Sequence, residues 1–237
     1  MNIEKMPDWS GRLLQGLSYW VAYKNVLYPG YPLREAALIA EATTLLYTNK
    51  DKYSINCEIM YKNLQGLQKH TFESKNEENE FLKFKNSLGE KRVDLIINSK
   101  ENENIEEYLI EVKRKLDDDK VVEENEIDKD IDRLAEYLKY TTNKNARCFV
   151  LVVSQNDIPR KFVNDSFRAQ KANSRDDFFT TERNNKYRVR MVRKAIPNLE
   201  EKEKYHQDRI ERHSEEDDDN TYFNVKTVFS ILLEVFV

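Results

Sequence analysis

An acid pair and a lysine near the middle of the chain have the residue types and the spacing that metal-assisted chemistry needs. Asp94 lies in the apolar segment Arg92–Ser99, and Glu111 and Lys113 lie in a second apolar segment, residues 108–113. Both segments are short and are bounded by charged or turn-forming residues, which favours β-strands over helices. We therefore expect the two segments to pair as a hairpin.

The expected hairpin brings the two acids to one face. Its connection is centred between residues 102 and 103, and this symmetric register places Asp94 opposite Glu111, so both side chains point the same way. Side chains alternate along a strand, so Lys113 joins the two acids. The apolar residues of both strands are expected on the opposite face: Val93, Leu95, Ile97, Ile110 and Val112.

A face of this kind suits the attack of water on a phosphate. Two converging carboxylates are good ligands for a hard divalent cation, Mg2+ above all, with Mn2+ as a substitute. Lys113 could then orient or deprotonate the attacking water. A surface ion-pair ladder is the alternative, because Glu-x-Lys also occurs at residues 73–75 and 200–202, in polar segments.

The elements around the hairpin follow in a regular order. Pro32 suits the first turn of a helix that runs to residue 47, and residues 53–61 are predicted to form a strand. Residues 127–138 share an apolar helical face, and residues 148–153 have the composition of a buried strand. The order is helix, strand, strand, strand, helix, strand. It predicts an α/β fold with a mixed central sheet flanked by helices.

This order, together with Asp94, Glu111 and Lys113, resembles the PD-(D/E)xK phosphodiesterase superfamily, the fold of many restriction endonucleases. The resemblance covers residues 33–154, and Arg92 and Val93 stand where the motif's name has a proline before the aspartate. It implies a restriction-endonuclease-like core in which Asp94 and Glu111 hold Mg2+ and Lys113 serves the attacking water.

Two helices supply further candidates through the same resemblance. A glutamate on the helix before the first strand often completes the metal site in this superfamily, and we expect Glu41 to be that ligand in preference to Glu35. The segment from Arg133 to Tyr137 resembles the Gln-Leu-x-x-Tyr motif of the RecB-like branch, with Arg in place of Gln. Arg133 could contact a phosphate, while core packing explains Leu134 and Tyr137 equally well.

Basic residues are concentrated in the last third of the chain. Residues 160–194 carry 11 basic and 4 acidic residues, whereas residues 195–219 carry 4 basic and 10 acidic ones. Alternation along a strand at residues 187–195 sends Arg188 and Arg190 to one face, which suits phosphate contacts. Pairing with an acidic helix at residues 199–214 is the alternative. The residues predicted to bind nucleic acid are Arg183, Lys186, Arg188, Arg190, Arg193 and Lys194.

Composition bounds the class of protein. A chain of 237 residues with 39% hydrophobic residues, 5 Gly and 5 Pro can bury a sizeable core, so a single globular domain is expected. Within it we expect a helical extension at residues 1–31, a catalytic core at 32–155 and an elaboration at 156–237 for DNA binding or dimerisation. Two cysteines make no disulfide framework, and no membrane-length apolar run occurs. These features predict a cytoplasmic protein without a membrane partner.

Together these features predict a Mg2+-dependent endonuclease acting on double-stranded DNA as a homodimer. A type II restriction endonuclease or a related phage-defence nuclease is the expected kind. A structure-specific nuclease, such as a junction resolvase or repair enzyme, is one alternative. A nucleic-acid-binding protein that keeps the fold without catalysis is the other.

Overall fold

The structure, a computed structural model, describes residues 5–27, 33–68, 72–100, 106–115, 122–155, 179–196 and 227–237. The helices predicted at residues 159–172 and 199–214 lie outside these ranges. The elements in chain order are α1 (Asp8–Leu27), α2 (Glu35–Tyr47), β1 (Tyr53–Met60), a 3-10 turn (Tyr61–Asn63), α3 (Gln65–Gln68), α4 (Lys75–Leu88), β2 (Arg92–Ser99), β3 (Glu107–Lys115), α5 (Val122–Tyr140), β4 (Ala146–Gln155), β5 (Phe179–Thr180), β6 (Lys186–Ala195) and β7 (Val228–Phe236).

The strands form one mixed sheet in the order β1-β2-β3-β4-β7-β6-β5. Only β3 and β4 are parallel neighbours in it, and the other described pairs are antiparallel. Parallel neighbours need a long crossover, and α5 provides it. The predicted α/β class with a mixed sheet and flanking helices is therefore confirmed.

Helices cover both faces of the sheet and create two apolar cores. The first core lies under α1 and α2 and contains Trp9, Leu38 and, from β4, Phe149 and Leu151. The second lies under α3, α4 and α5 and takes the alternate residues of β4, among them Val150. Because β4 is buried on both faces, its sequence is a continuous apolar run rather than an alternating one.

The polar segment at residues 62–90 is more helical than expected. Its polar, mixed composition predicts a loop with a short helix around residues 81–84, whereas α4 has 14 residues. Ser74 caps it by accepting a hydrogen bond from the amide of Glu77 at 3.2 Å, and Gly89 ends it with a φ of 52°. Only one face of α4 is apolar, with Phe81, Phe84 and Leu88 buried, which explains why the segment reads as polar.

An irregularity in β1 reorients the end of that strand. Glu58 has a φ of 56°, and β1 pairs with β2 on either side of it but not at Glu58 itself. Cys57 and its β2 partner Leu95 pack into the first core. Ile59 and its β2 partner Val93 pack into the second. The expectation that Val93 shares a face with Leu95 is therefore wrong, because the strand pair changes face at this point.

The N-terminal helix packs against the C-terminal strands. α1 lies on β6 and β7, and the Ser18 and Ser230 hydroxyls form a buried hydrogen bond at 2.9 Å. Gly16 gives α2 room to approach, because a Cβ there would lie 2.8 Å from the Leu45 side chain. No helix in the described part of the chain has the length and apolarity needed to cross a membrane.

Candidate active site

The structure brings Asp94, Glu111 and Lys113 together where β2 and β3 separate. The strands pair from Leu95↔Ile110 to Asn98↔Glu107, which is the predicted register, and one further step puts Asp94 across from Glu111. The Val112 amide donates to Asp94 Oδ2 at 2.7 Å. The Asp94 carboxylate thus accepts a backbone hydrogen bond from β3 at the point where the pairing of β2 with β3 ends.

Glu111 is held from two directions. Its side chain is only 3% exposed, because alternation along β3 turns it towards α5. The Tyr61 hydroxyl donates to Oε1, and Arg133 Nη1 lies 3.2 Å from the same oxygen. Tyr61 follows the reoriented end of β1, so the irregularity at Glu58 contributes to this contact. One oxygen of each acid, Oδ2 of Asp94 and Oε1 of Glu111, is therefore fixed by the protein.

Both acids favour their protonated forms. Burial, with the nearby Asp130 and Asp94 carboxylates, raises the pKa of Glu111 to about 8. Burial also raises the pKa of Asp94 to about 6, against the opposing effects of the Val112 amide and Lys113. Burial, together with the neighbouring carboxylates, thus disfavours a second negative charge at this position.

Lys113 is surrounded by carboxylates. Its Nζ lies 3.1 Å from Asp130 Oδ2 and 3.8 Å from Glu35 Oε2. Burial alone would lower the pKa of Lys113, but Asp130, Glu35 and Asp94 outweigh burial and raise it. The amine therefore stays protonated at neutral pH in the free protein. Of the two roles expected for it, this favours orienting a water over deprotonating one.

Glu35, rather than Glu41, is the α2 acid beside the site. Glu35 lies in the first turn of α2, and besides contacting Lys113 it accepts a hydrogen bond from the Arg114 amide at 3.4 Å. Glu41 lies about 9 Å further along the helix axis and on another face. Among the described residues it has no hydrogen bond or ion pair. The structure therefore does not support the preference for Glu41, because the start of α2 approaches the hairpin and its middle does not.

Asp130 on α5 belongs to the site, although it was not among the residues expected from the sequence. Its Oδ1 lies 3.0 Å from Arg133 Nη1, and its Oδ2 contacts Lys113. A signal was present, because Asp130 lies three residues after Ile127 and four before Leu134, within the apolar stripe of the helix. Arg133 lies inside the same cluster with its guanidinium 5.8 Å from the centre of the Tyr61 ring, so it contacts site residues rather than lying free for a phosphate.

In the described part of the chain, no group of three His, Cys, Asp or Glu side chains is arranged to hold a metal ion. Asp94 and Glu111 form a pair, while Asp130 and Glu35 are turned to Lys113. The adjacent acids at residues 117–119 resemble a metal cluster in the sequence, but neighbouring acids on a loop point in different directions and are usually solvated; they lie outside the described ranges.

The predicted basic strand exists, but its arginines do not form one exposed face. The register between β6 and β7 shifts between Val189 and Met191, so Arg190 lies at a bulge and alternation fails there. Its Nε is 2.9 Å from Glu234 Oε2, and its side chain is only 7% exposed. Arg147 binds the other oxygen of Glu234 at 2.7 Å. The predicted phosphate contact of Arg190 is thus replaced by a buried ion pair.

The remaining basic candidates divide between the two ends of β6. Lys113 pairs with Val152 on β4, Val152 with Ile231 on β7, and Ile231 with Val192 on β6. Val192 is therefore level with Lys113 across the sheet, and Arg193 and Lys194, which follow Val192, lie at the end of the sheet that carries the site. The other end carries Lys186, Arg188, whose guanidinium lies 4.9 Å from the centre of the Phe236 ring, and the 78% exposed Arg183.

These observations define an α/β protein with a mixed seven-stranded sheet and a cluster of acids and bases at the open end of its central hairpin. No protein-family model, curated protein or solved structure matches the chain. What the protein does is therefore inferred from the fold and the site.

Proposed function

We propose that this protein is a divalent-cation-dependent nuclease that hydrolyses DNA phosphodiester bonds on a restriction-endonuclease-like core. The observation that carries the proposal is the convergence of Asp94, Glu111 and Lys113 at the open end of the hairpin, with the Glu111 side chain only 3% exposed. Buried acids with raised pKa values concentrate at functional sites. In a surface ion-pair ladder the Glu111 side chain would be exposed.

The acid pair fits a bound Mg2+ or Mn2+. Asp94 and Glu111 would hold the ion, because each carboxyl has one oxygen fixed by the protein and a second oxygen left to coordinate. The two carboxylates would bind such an ion in their ionised forms, and its positive charge would offset theirs. When bound, such an ion neutralises charge on phosphate oxygens and lowers the pKa of a coordinated water.

The protein's own groups would supply the remaining parts of the reaction. The Lys113 ammonium lies beside Asp94, where it can donate a hydrogen bond to the attacking water and offset negative charge that develops on phosphate. Glu35, 45% exposed, faces the same ammonium from α2 and can align the water from the solvent side. Hydrolysis then needs no covalent intermediate with the protein.

Double-stranded DNA is the proposed substrate, cut by a homodimer in the manner of a type II restriction endonuclease or a related phage-defence nuclease. Arg193 and Lys194 support a polyanionic substrate, since both lie at the end of the sheet that carries the site. They are about 14 Å from β3, three strand spacings away, which is within the width of a duplex. Two copies of the site would account for cleavage of both strands.

Cleavage should require Mg2+ or Mn2+, whereas Ca2+ should support DNA binding without efficient turnover, because Ca2+ prefers looser coordination and more ligands. The measurement is an incubation of plasmid, linear duplex, single-stranded and branched DNA with each cation. Preference for branched DNA over plain duplex would identify a structure-specific nuclease. Unchanged cleavage in excess chelator would contradict the proposed mechanism.

Lys194→Ala should weaken DNA binding and reduce the slope of log affinity against log salt by about one, because one phosphate contact is lost. Lys186→Ala is a matched control, since Lys186 is also an exposed lysine of β6 but lies at the opposite end of that strand, level with Tyr108 rather than with Lys115 of β3. Binding measured at several salt concentrations tests the pair. Equal effects of the two variants would place the DNA on a different surface.

A further inference from the structure

We propose that Asp130 is a positioning residue of the site, which holds Lys113 directly and holds Glu111 through Arg133. The inference rests on the proposed function, because it concerns the same reaction. It adds a group from α5 to the residues of the hairpin and of α2.

The geometry of Asp130 is that of a bridge between two cations. Oδ2 lies 3.1 Å from Lys113 Nζ, and Oδ1 lies 3.0 Å from Arg133 Nη1. The same Arg133 nitrogen lies 3.2 Å from Glu111 Oε1. A single carboxylate therefore connects the lysine to the buried acid, and displacement of Asp130 would affect both.

Asp130 is also placed where it can hold these groups firmly. Its side chain is only 3% exposed, and it lies in the apolar stripe of α5 between the buried Ile127 and Leu134. A buried carboxylate is expensive to desolvate unless it is paired, and here each oxygen has a cationic partner. Rigid burial on a packed helix is what fixes the partners of Asp130 in position.

Loss of the Asp130 charge would leave Lys113 with a different set of partners. Glu35 is a second carboxylate in contact with Lys113 in the described part of the chain, but its side chain is longer, 3.8 Å away and 45% exposed. The ammonium would then move towards α2 and away from the acid pair. Misplacement of a reacting group by about 1 Å can lower a rate roughly 100-fold.

The test compares Asp130→Asn with Asp132→Asn. Asp132 is buried on the same helix but accepts hydrogen bonds from Thr181 at 2.6 Å and Asn185 at 2.8 Å, away from the site. In single-turnover reactions with saturating DNA, we expect Asp130→Asn to slow cleavage by roughly 10- to 100-fold with little change in DNA affinity. Asp132→Asn should cut at nearly the parent rate, and Asp130→Glu should recover part of the loss.

A double variant distinguishes positioning from a general loss of structure. If Asp130 positions Lys113, Asp130→Asn should slow cleavage much less in the Lys113→Ala background than in the parent, because groups that act as a unit are not additive; the effect that remains is the one transmitted through Arg133 to Glu111. Losses that multiply, or equal losses in Asp130→Asn and Asp132→Asn, would overturn the inference.

If the parent protein cuts no DNA, the proposed function is refuted. Thermal unfolding then still tests whether Asp130 holds Lys113. The melting temperatures of Lys113→Ala, Asp130→Asn and the double variant should then still be non-additive, because the two side chains touch. The changes in melting temperature of Lys113→Ala and Asp132→Asn should add up in their double variant. Additive effects in both sets would mean that Asp130 does not hold Lys113.

Discussion

Lys113→Ala should slow the DNA-cleavage step at least about 100-fold, because the group that orients the attacking water and offsets phosphate charge is lost. Folding and DNA affinity should change much less. The Lys113 side chain is 21% exposed, and its main partner Asp130 keeps a second cation, Arg133. Bound cation alone should not restore the rate, because the water would no longer be held in line with the phosphate.

Single-turnover cleavage, thermal unfolding and DNA binding on the same preparations decide this outcome. Lys129→Ala is the matched control, since Lys129 is a 63% exposed lysine of α5 whose partner is Glu126 at 2.6 Å, and an exposed ion pair contributes at most about 1 kcal/mol. A folded Lys113→Ala protein that cuts at the parent rate would remove Glu111 and Lys113 from the chemistry and favour a structural ion-pair ladder.

Asp94→Asn should have two opposite effects. It should lower the cleavage rate by about 100-fold or more, because the neutral amide removes one of the two carboxylates that would bind the cation. It should also stabilise the cation-free protein near neutral pH. The amide oxygen can still accept the hydrogen bond from the Val112 amide, while the cost of burying the Asp94 charge disappears. Activity and stability are thus expected to change in opposite directions.

The pH dependence of this stabilisation follows from the raised pKa of Asp94, about 6 in the folded chain against an ordinary value of 3.8. The folded chain favours the protonated acid, so this contribution to stability is complete below about pH 4 and is lost as the pH rises to about 6. The melting temperatures of Asp94→Asn and the parent should therefore converge near pH 4. Above pH 6 the variant should melt higher, by an amount on the order of 5 °C for a chain of this size.

Thermal scans from pH 4 to pH 8, with and without Mg2+, measure this difference. Added Mg2+ should narrow the gap, because the cation stabilises only a folded protein that binds it. Lower stability of Asp94→Asn at pH 8 without cation would mean that favourable contacts of the Asp94 carboxylate outweigh the cost of burying its charge.

The hairpin register was predictable because it depends on local symmetry. Strands of similar length around a symmetric connection leave few alternative pairings, and the alternation of Ile110, Glu111 and Val112 specifies which face is buried. The crossover after β3 was predictable for a related reason: an amphipathic helix followed by the doubly buried strand β4 favours a parallel pair. Both features follow from residues that lie close to one another in the sequence.

Other parts of the site depend on contacts distant in sequence. The choice between Glu35 and Glu41 depends on how α2 approaches the hairpin, which tertiary packing decides. The bulge at Arg190 could not be predicted, because the sequence there keeps the alternation of a regular strand. Glu58 is a poor choice for a left-handed backbone on propensity alone, so nothing in the sequence announced the change of face that brings Tyr61 to Glu111.

Two helical features could have been predicted from signals that were present. Ser74 followed three residues later by Glu77, with Gly89 at the other end, is the capping pattern of a helix of the length of α4. The polar composition of the segment obscured its single apolar face. Asp130 in the apolar stripe of α5 was a comparable signal, since a charged residue at a core position is retained only where a partner or a function requires it.

The position of β7 in the sheet governs the order in which the protein can assemble. β7 lies between β4 and β6, although it follows both of them in the chain. Until residues 228–236 are synthesised, β4 has an unpaired edge along a largely apolar strand, and β6, with β5 beside it, lacks the strand that joins it to the sheet. Such long-range pairing slows folding and exposes the growing chain to aggregation. Completion of the sheet is therefore coupled to the synthesis of its last strand.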